Sequence, residues 1–321
     1  MEKLVVIGPY TDSMKKALAR HLPDGIQMEY ITSYEEYEKL SDADYLILRT
    51  LRLDQQHVEG LAKARLIQRW GAGYDTVDLE AAGKKNIPVA VAAGVNARSV
   101  AELTLVFMLA LRRNLIPQAE AFRRGENRRT ELAASSRCIC GETVGILGMG
   151  SIGRLVAELT KALGAHVLYY DVIRMEEEKE KELGYRYGSL DEVLSEADIV
   201  TLHLPLLEST KGLIGKEALN RMKAGAVLIN AARQELVQEE ELAQALKEGR
   251  LSGAGLDEIA EPFARSPFVG LDNVICTPHI GGSTVDIDDA MAQVCMEHIE
   301  TIRAGKKLAP PSLVNGSSLT L

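Results

Sequence analysis

The chain has 321 residues, 46% hydrophobic and 26% charged, with a formal net charge of −9. That length accommodates two domains, and the acidic balance argues against nucleic acid or an anionic membrane as the main partner. The start, "MEKLVVIGPY", shows no leader pattern and the longest apolar run, within 100–111, is too short to span a bilayer, so a cytoplasmic protein without a membrane partner is expected.

The first hundred residues alternate short apolar runs with amphipathic stretches. Strands are predicted at "KLVVIG", "MEYI", "YLILRT", "RLIQRW" and "PVAVA", with helices such as "DSMKKALARHL" and "YEEYEKL" between them. Strands alternating with helices imply βα units and a parallel sheet. "NARSVAELTLVFMLALRRN" follows, in which Ser99 and Glu102 have the spacing of a capping box. From Val100 to Leu111 this helix is apolar almost all round, which predicts burial. The Arg-rich stretch 123–137 reads as a solvated face. Of the four cysteines, Cys138 and Cys140 form only a C-x-C pair. Reduced thiols and no metal are expected.

A second series of βα units begins at Thr143. Its strands are predicted at "TVGILG", "HVLYYD", "IVTLHLP", "AVLINAA", "GAGLD" and "VICTPH", its helices at "GRLVAELTKALG", "SLDEVLSEA", "TKGLIGKEALNRM" and "QEEELAQALKEG". Six strands with intervening helices suffice for a doubly wound sheet. "MEEEKEKE" reads as a charged, solvated face, a last helix runs to about Ala304, and "KKLAPPSLVNGSSLTL" reads as an irregular tail.

Within "VGILGMGSIG", Gly148-x-Gly150-x-x-Gly153 follows a strand and opens a helix. Gly148 permits the tight turn, Gly150 the approach of a pyrophosphate to the backbone, and Gly153 close packing of helix on strand. Asp171 ends the next strand, 18 residues after Gly153. A carboxylate there accepts hydrogen bonds from a ribose diol and repels a 2′-phosphate, so NAD is expected over NADP. Arg174 is the nearby group able to oppose that preference by holding such a phosphate.

Three later stretches end or follow strands, where open α/β sheets bind ligands: "LINAARQELV" with Arg233, "GLDEIAEP" with Glu261, and "TPHIGGST" with His279. Together with "GMGSIG", "LHLPLLEST", "GAGYDTVDLEAAGKKNIPVA" and "GVNARSVAEL", and in that order along the chain, they resemble the D-isomer-specific 2-hydroxyacid dehydrogenases over roughly residues 45–305. "N-x-R-S-V-A-E", "PLLEST" and "TPHIGGST" are most similar to the 3-phosphoglycerate dehydrogenases of that family.

The resemblance implies two doubly wound parallel-sheet α/β domains. A Rossmann-type NAD domain, residues 98–284, would be inserted into a smaller flavodoxin-like substrate domain, residues 1–97 and 285–321. It implies hydride transfer between NAD and a small D-2-hydroxyacid or its 2-ketoacid, in a dimer, with catalysis in the cleft between domains. Arg233 would bind the substrate carboxylate and reacting oxygen, and His279 would exchange a proton with that oxygen. Glu261 would hold the imidazole. A guanidinium suits its role by its planar fork and permanent charge, and histidine suits its own because both protonation states are reachable near neutral pH. Backbone amides of Ala72 and Gly73, the Asn96 side chain, and Arg49 and Thr50 of "LILRTLRLD" would meet substrate, Arg49 through a phosphate. Ser151, Ile152, Ala231, Ala232, Asp257, Gly281 and Gly282 match cofactor contacts of the family, and His203 and Pro205 match a loop beside the cofactor.

The chain also departs from the family pattern. Gln234 stands where glycine commonly follows the arginine, and "DEIAEP" is one residue shorter than the common "DVFEEEP". If strand alternation continues through "GAGLD", Asp257 faces the cofactor and Glu258 faces away, which leaves Glu261 for His279. The favoured activity is 3-phosphoglycerate dehydrogenase-like. Glyoxylate or hydroxypyruvate reductase is the enzymic alternative, and an NAD-responsive corepressor, which keeps the family's catalytic residues, is the alternative of another class.

Overall fold

The computed structural model describes residues Met1–Leu319. The chain forms two compact units, one from Met1–Asn96 together with the chain from Thr284 onward, the other from Ala97–Ser283. Both are α/β, so the expected fold class holds, with the second unit inserted into the first.

The first unit is a five-stranded parallel sheet of β1 (Glu2–Ile7), β2 (Ile26–Ile31), β3 (Tyr45–Leu48), β4 (Leu66–Arg69) and β5 (Val89–Val91), in the order β2-β1-β3-β4-β5. Its inner strands β1 and β3 carry apolar residues on both sides because both faces are covered. Leu4, Val6, Tyr45 and Ile47 pack with Met14 and Leu18 of helix Asp12–His21 and with Met291, Cys295 and Ile299 of helix Asp288–Arg303. The alternate residues Val5, Ile7, Leu46 and Leu48 pack on the opposite face with Val58, Leu61 and Ala81. Thr11 caps the first helix, its hydroxyl accepting from the Met14 amide at 3.3 Å. "YEEYEKL" forms a 3₁₀ helix, Tyr34–Leu40.

The C-terminal segment, irregular as expected apart from a 3₁₀ turn at Gly316–Ser318, is docked on the edge of β5. The Val91 amide donates to Ser312 O at 2.9 Å and the Val314 amide to Val89 O at 3.0 Å. Buried Asn315 accepts from the Val89 amide and donates to Ile87 O. The segment thereby satisfies backbone groups that an open edge would expose.

The second unit is a seven-stranded parallel sheet of β6 (Thr143–Leu147), β7 (His166–Tyr170), β8 (Tyr185–Tyr187), β9 (Ile199–Leu202), β10 (Ala226–Asn230), β11 (Leu251–Leu256) and β12 (Val274–Cys276). Its order is β12-β11-β10-β9-β6-β7-β8, so the direction of winding reverses between β6 and β9. Six strands were expected. β8 escapes the pattern because it has three residues, a central arginine and an edge position.

Helix Ala97–Arg112 packs on this sheet, and Gly255 admits it: a Cβ there would stand 2.7 Å from Phe107 Cβ. The capping box expected at Ser99 does not form. The helix already begins at Ala97, so Ser99 lies inside it, and Glu102 takes the Arg98 guanidinium at 2.8 Å. The all-round burial expected of this helix does not hold either, since Val106 is 56% and Leu109 40% exposed. Most of "MEEEKEKE" lies in helix Glu177–Leu183, and one of its charges is buried: Glu180 accepts from the Tyr169 hydroxyl and from Arg174. No helix among the described residues is long and apolar enough to cross a membrane.

Candidate active site

Strand register builds the site. In the second sheet Tyr170, Leu147, Leu202, Asn230, Leu256 and Cys276 form one row of hydrogen-bonded neighbours. Each ends or nearly ends its strand, so the residues that follow emerge along one edge at strand spacings of about 4.8 Å. Gly148, Asp171, His203, Ala231–Arg233, Asp257 and the loop 277–282 all belong to that edge. The reversal between β6 and β9 opens a crevice there for a dinucleotide.

The turn after β6 fits a pyrophosphate. Gly148 has φ +99, and a Cβ on it would lie 2.5 Å from His203 O. A Cβ on Gly153 would lie 1.9 Å from Gly148 O, so helix and turn meet too closely for any side chain. Nothing stands within 4 Å of a Cβ on Gly150, and no side chain caps helix Ser151–Ala162, which leaves its first amides facing open space beside that turn. Ser151 is exposed, while Ile152 packs partly on the core.

Asp171 is fixed in front of this turn, accepting from the Met149 amide at 2.6 Å and the Ile173 amide at 2.9 Å. Each carboxylate oxygen keeps a lone pair for a ribose hydroxyl. Arg174 is committed elsewhere: it donates to both oxygens of Glu180 at 3.0 and 2.8 Å and lies over the Tyr187 ring. The geometry fits NAD.

His203 follows β9. Its Nε2 is 3.0 Å from the Thr201 hydroxyl, and Nδ1 is buried without a hydrogen-bond partner. The residue as a whole is partly accessible, but burial pushes the pKa of its ring down to about 3, so the ring is neutral at physiological pH. A neutral histidine of that kind is not the acid of a reduction. Pro205 O accepts from the Thr210 hydroxyl, which also accepts from the Leu207 amide and so pins this loop.

Asn230 shapes the next turn, a role the sequence reading missed. Its buried side chain accepts from the Ala232 amide at 3.1 Å and donates to Arg233 O at 2.7 Å, fixing Ala231, Ala232 and Arg233. Arg233 Nη1 donates to Ala232 O at 2.8 Å.

Asp257, 3% exposed, latches the loop that carries His279. Its Oδ1 accepts from the Thr277 hydroxyl at 2.6 Å and the Ile280 amide at 2.8 Å, and its Oδ2 from the Gly281 amide at 2.7 Å. Its backbone oxygen accepts from the His279 amide at 2.5 Å. His279 is thereby held at φ 56, an uncommon conformation for a side-chain-bearing residue. A Cβ on Gly281 would press to 2.7 Å on Asp257 Oδ2, and Gly282 follows it partly exposed. Asp257, expected only as a cofactor contact, thus spends three lone pairs on this loop.

The carboxylate beside His279 also differs from expectation. Glu258 Oε2 stands 3.1 Å from His279 Nδ1, whereas Glu261 is exposed. Strand alternation was the wrong guide because β11 ends at Leu256, before either acidic residue.

In the first unit, register places Ile31, Ile7, Leu48, Arg69 and Val91 in one row. Arg49 and Thr50 follow β3, Ala72 and Gly73 follow β4, and Asn96 follows β5. Arg49 Nη1 donates to Pro9 O at 2.7 Å across the β1/β3 reversal. Gly73 O accepts from Arg69 Nε at 2.8 Å. The left-handed glycine of "WGAGYD" is Gly71, at φ +125. Ala72 and Thr50 are exposed, and Asn96 Oδ1 is buried without a partner.

A sequence profile described as "D-isomer specific 2-hydroxyacid dehydrogenase, NAD binding domain" matches residues 105–281. The glyoxylate reductase of Pyrococcus furiosus is 36% identical over 285 residues, 87% of this chain and 84% of that protein. The D-3-phosphoglycerate dehydrogenase of Methanocaldococcus jannaschii is 38% identical over 279 residues, 86% of this chain and 53% of that protein. Among solved structures, an NAD-dependent formate dehydrogenase from Staphylococcus aureus in complex with NAD superposes with a TM-score of 0.87 at 26% identity, covering 97% of this chain and 98% of the other.

Proposed function

Because the chain belongs to the D-isomer specific 2-hydroxyacid dehydrogenase family, we propose that it reduces a small 2-ketoacid to the D-2-hydroxyacid, and catalyses the reverse oxidation, as a cytoplasmic homodimer. The observation that carries this reading is the single sheet edge that bears the phosphate-binding turn, Asp171, Arg233 and the latched His279. NADH, when bound, supplies the hydride that reduces the carbonyl carbon. Gly148, Gly150, Ser151, Ile152 and Gly153 would hold the pyrophosphate and Asp171 the ribose diol. His203, Pro205, Ala231, Ala232, Asp257, Gly281 and Gly282 would complete that pocket, Asp257 through the one lone pair left on Oδ2.

Arg233 would grip the ketoacid carboxylate and polarise the carbonyl oxygen with its fork of donors. His279 would give its proton to that oxygen as it becomes a hydroxyl, and recover one from solvent. Asn96 and the amides of Ala72 and Gly73 would meet the substrate carboxylate. Arg49 and Thr50 would take a substrate phosphate, which supports 3-phosphohydroxypyruvate as the ketoacid. Glyoxylate or hydroxypyruvate is the second reading, favoured by the near full-length match to the P. furiosus reductase. The paired state of Arg174 supports NADH over NADPH. Oxidation of NADH and NADPH with phosphohydroxypyruvate, hydroxypyruvate and glyoxylate tests all these points, and a clear NADPH preference would defeat the cofactor reading.

The dimer rests on exposed apolar side chains along Ala97–Arg112 and the next helix, Leu115–Arg123. Val106, Leu109, Leu115, Ile116 and Phe122 are 40–83% exposed. Such a patch is what a second copy covers. Sedimentation of the wild type should give a dimer and Val106→Glu a smaller species; a monomeric wild type at micromolar concentration contradicts this.

A further inference from the structure

We infer that Glu258, and not the motif glutamate Glu261, is the positioning residue that holds the His279 imidazole. The inference rests on the reading above, in which His279 passes the proton. Two residues that are far apart in sequence are joined here through Asp257. Its backbone oxygen and carboxylate fasten the loop 277–281, and Glu258 is its immediate neighbour. The latch therefore fixes both ends of the Glu258–His279 pair at once. Glu258 Oε2 lies 3.1 Å from Nδ1, within ion-pair distance, is shielded from solvent, and has no hydrogen-bond partner. A buried carboxylate oxygen without a donor is costly, and the Nδ1–H of His279 is the donor within reach.

The chain beyond Glu258 explains why Glu261 is left out. Ile259 packs against the core of the second unit. The Ala260 amide donates to Glu239 Oε1 at 3.1 Å, which ties the loop to the start of helix Glu239–Lys247. Glu261 emerges after these two anchors, on the surface. The segment is one residue shorter than the family pattern, so the motif glutamate is not returned to the histidine, and the residue after the latching aspartate takes its place. With Nδ1 held by Glu258, Nε2 is the nitrogen left for the substrate oxygen.

The test compares Glu258→Gln with Glu261→Gln in the intact protein. In ketoacid reduction, Glu258→Gln should lower kcat about 10- to 100-fold, the worth of a hydrogen bond to a charged group. The Kd for NADH, read by fluorescence, should stay unchanged, and Glu261→Gln should alter none of these. Equal losses in both variants, or a loss confined to Glu261→Gln, would overturn the inference. A second readout needs no turnover: the ¹⁵N resonances of the His279 ring should move in Glu258→Gln and stay in place in Glu261→Gln. If the wild type reduces no ketoacid, the reductase reading falls while this spectrum still decides the pairing. An unmoved Nδ1 resonance in Glu258→Gln would refute it.

Discussion

Asp257→Asn is the most informative single change in the second unit, because it preserves shape and removes one acceptor. The wild-type carboxylate is 3% exposed and accepts from Thr277 Oγ1, the Ile280 amide and the Gly281 amide. Whichever way the asparagine amide is turned, its NH₂ opposes one of those backbone N–H groups. Facing two buried donors at each other costs about 2–3 kcal/mol, and the remaining bonds lose the strengthening that ionisation gives them. A total of about 3 kcal/mol corresponds to a fall of roughly 6–12 °C in the melting midpoint of a unit of this size. The loop would also lose the constraint that keeps His279 at φ 56. Thermal unfolding should show the lower midpoint, amide exchange should show Gly281 and Ile280 losing protection, and ketoacid reduction should fall with it. A variant melting within about 2 °C of wild type, with unchanged exchange at Gly281, would refute the latch.

Gly153→Ala puts a methyl group 1.9 Å from Gly148 O, so the variant should bind NADH at least tenfold more weakly and melt lower; fluorescence titration and calorimetry check both. His203 is kept neutral in the fold, so the unfolded chain binds the extra proton between about pH 6.5 and 3. Stability must therefore fall as pH drops through that window, and His203→Asn should lose less stability than wild type between pH 7 and 5 in urea titrations. Arg49→Ala should raise KM for phosphohydroxypyruvate much more than for hydroxypyruvate; equal effects would mean that Arg49 reads no phosphate.

The two sheets were readable in the sequence because their strands are apolar runs that alternate with amphipathic helices. β8 was not, since an edge strand of three residues needs no apolar pattern. Nor was the docking of the C-terminal segment, because it comes from pairing with Val89 and Val91, contacts made across more than two hundred residues. Helix Ala97–Arg112 was placed, but its start was misread: Glu102 satisfies Arg98 instead of returning to Ser99. Of the candidate site, the turn at Gly148–Gly153 and its carboxylate Asp171 carry local patterns that survive without context. The neighbourhood of His279 does not. Which acid reaches it depends on where β11 stops, on Asp257 spending its oxygens on the loop, and on Ile259 and Ala260 being anchored elsewhere.

The most direct test of the whole account is steady-state oxidation of NADH by wild type, Arg233→Gln and His279→Gln against phosphohydroxypyruvate, hydroxypyruvate and glyoxylate. Wild type should turn over at least one of them. His279→Gln should lower kcat by about 100-fold or more, the scale of a lost general acid, while NADH affinity stays intact. Arg233→Gln should raise KM and lower kcat together. Absence of turnover with every ketoacid, alongside tight NADH binding, would contradict the account and point to a protein that binds the cofactor to signal instead of to react.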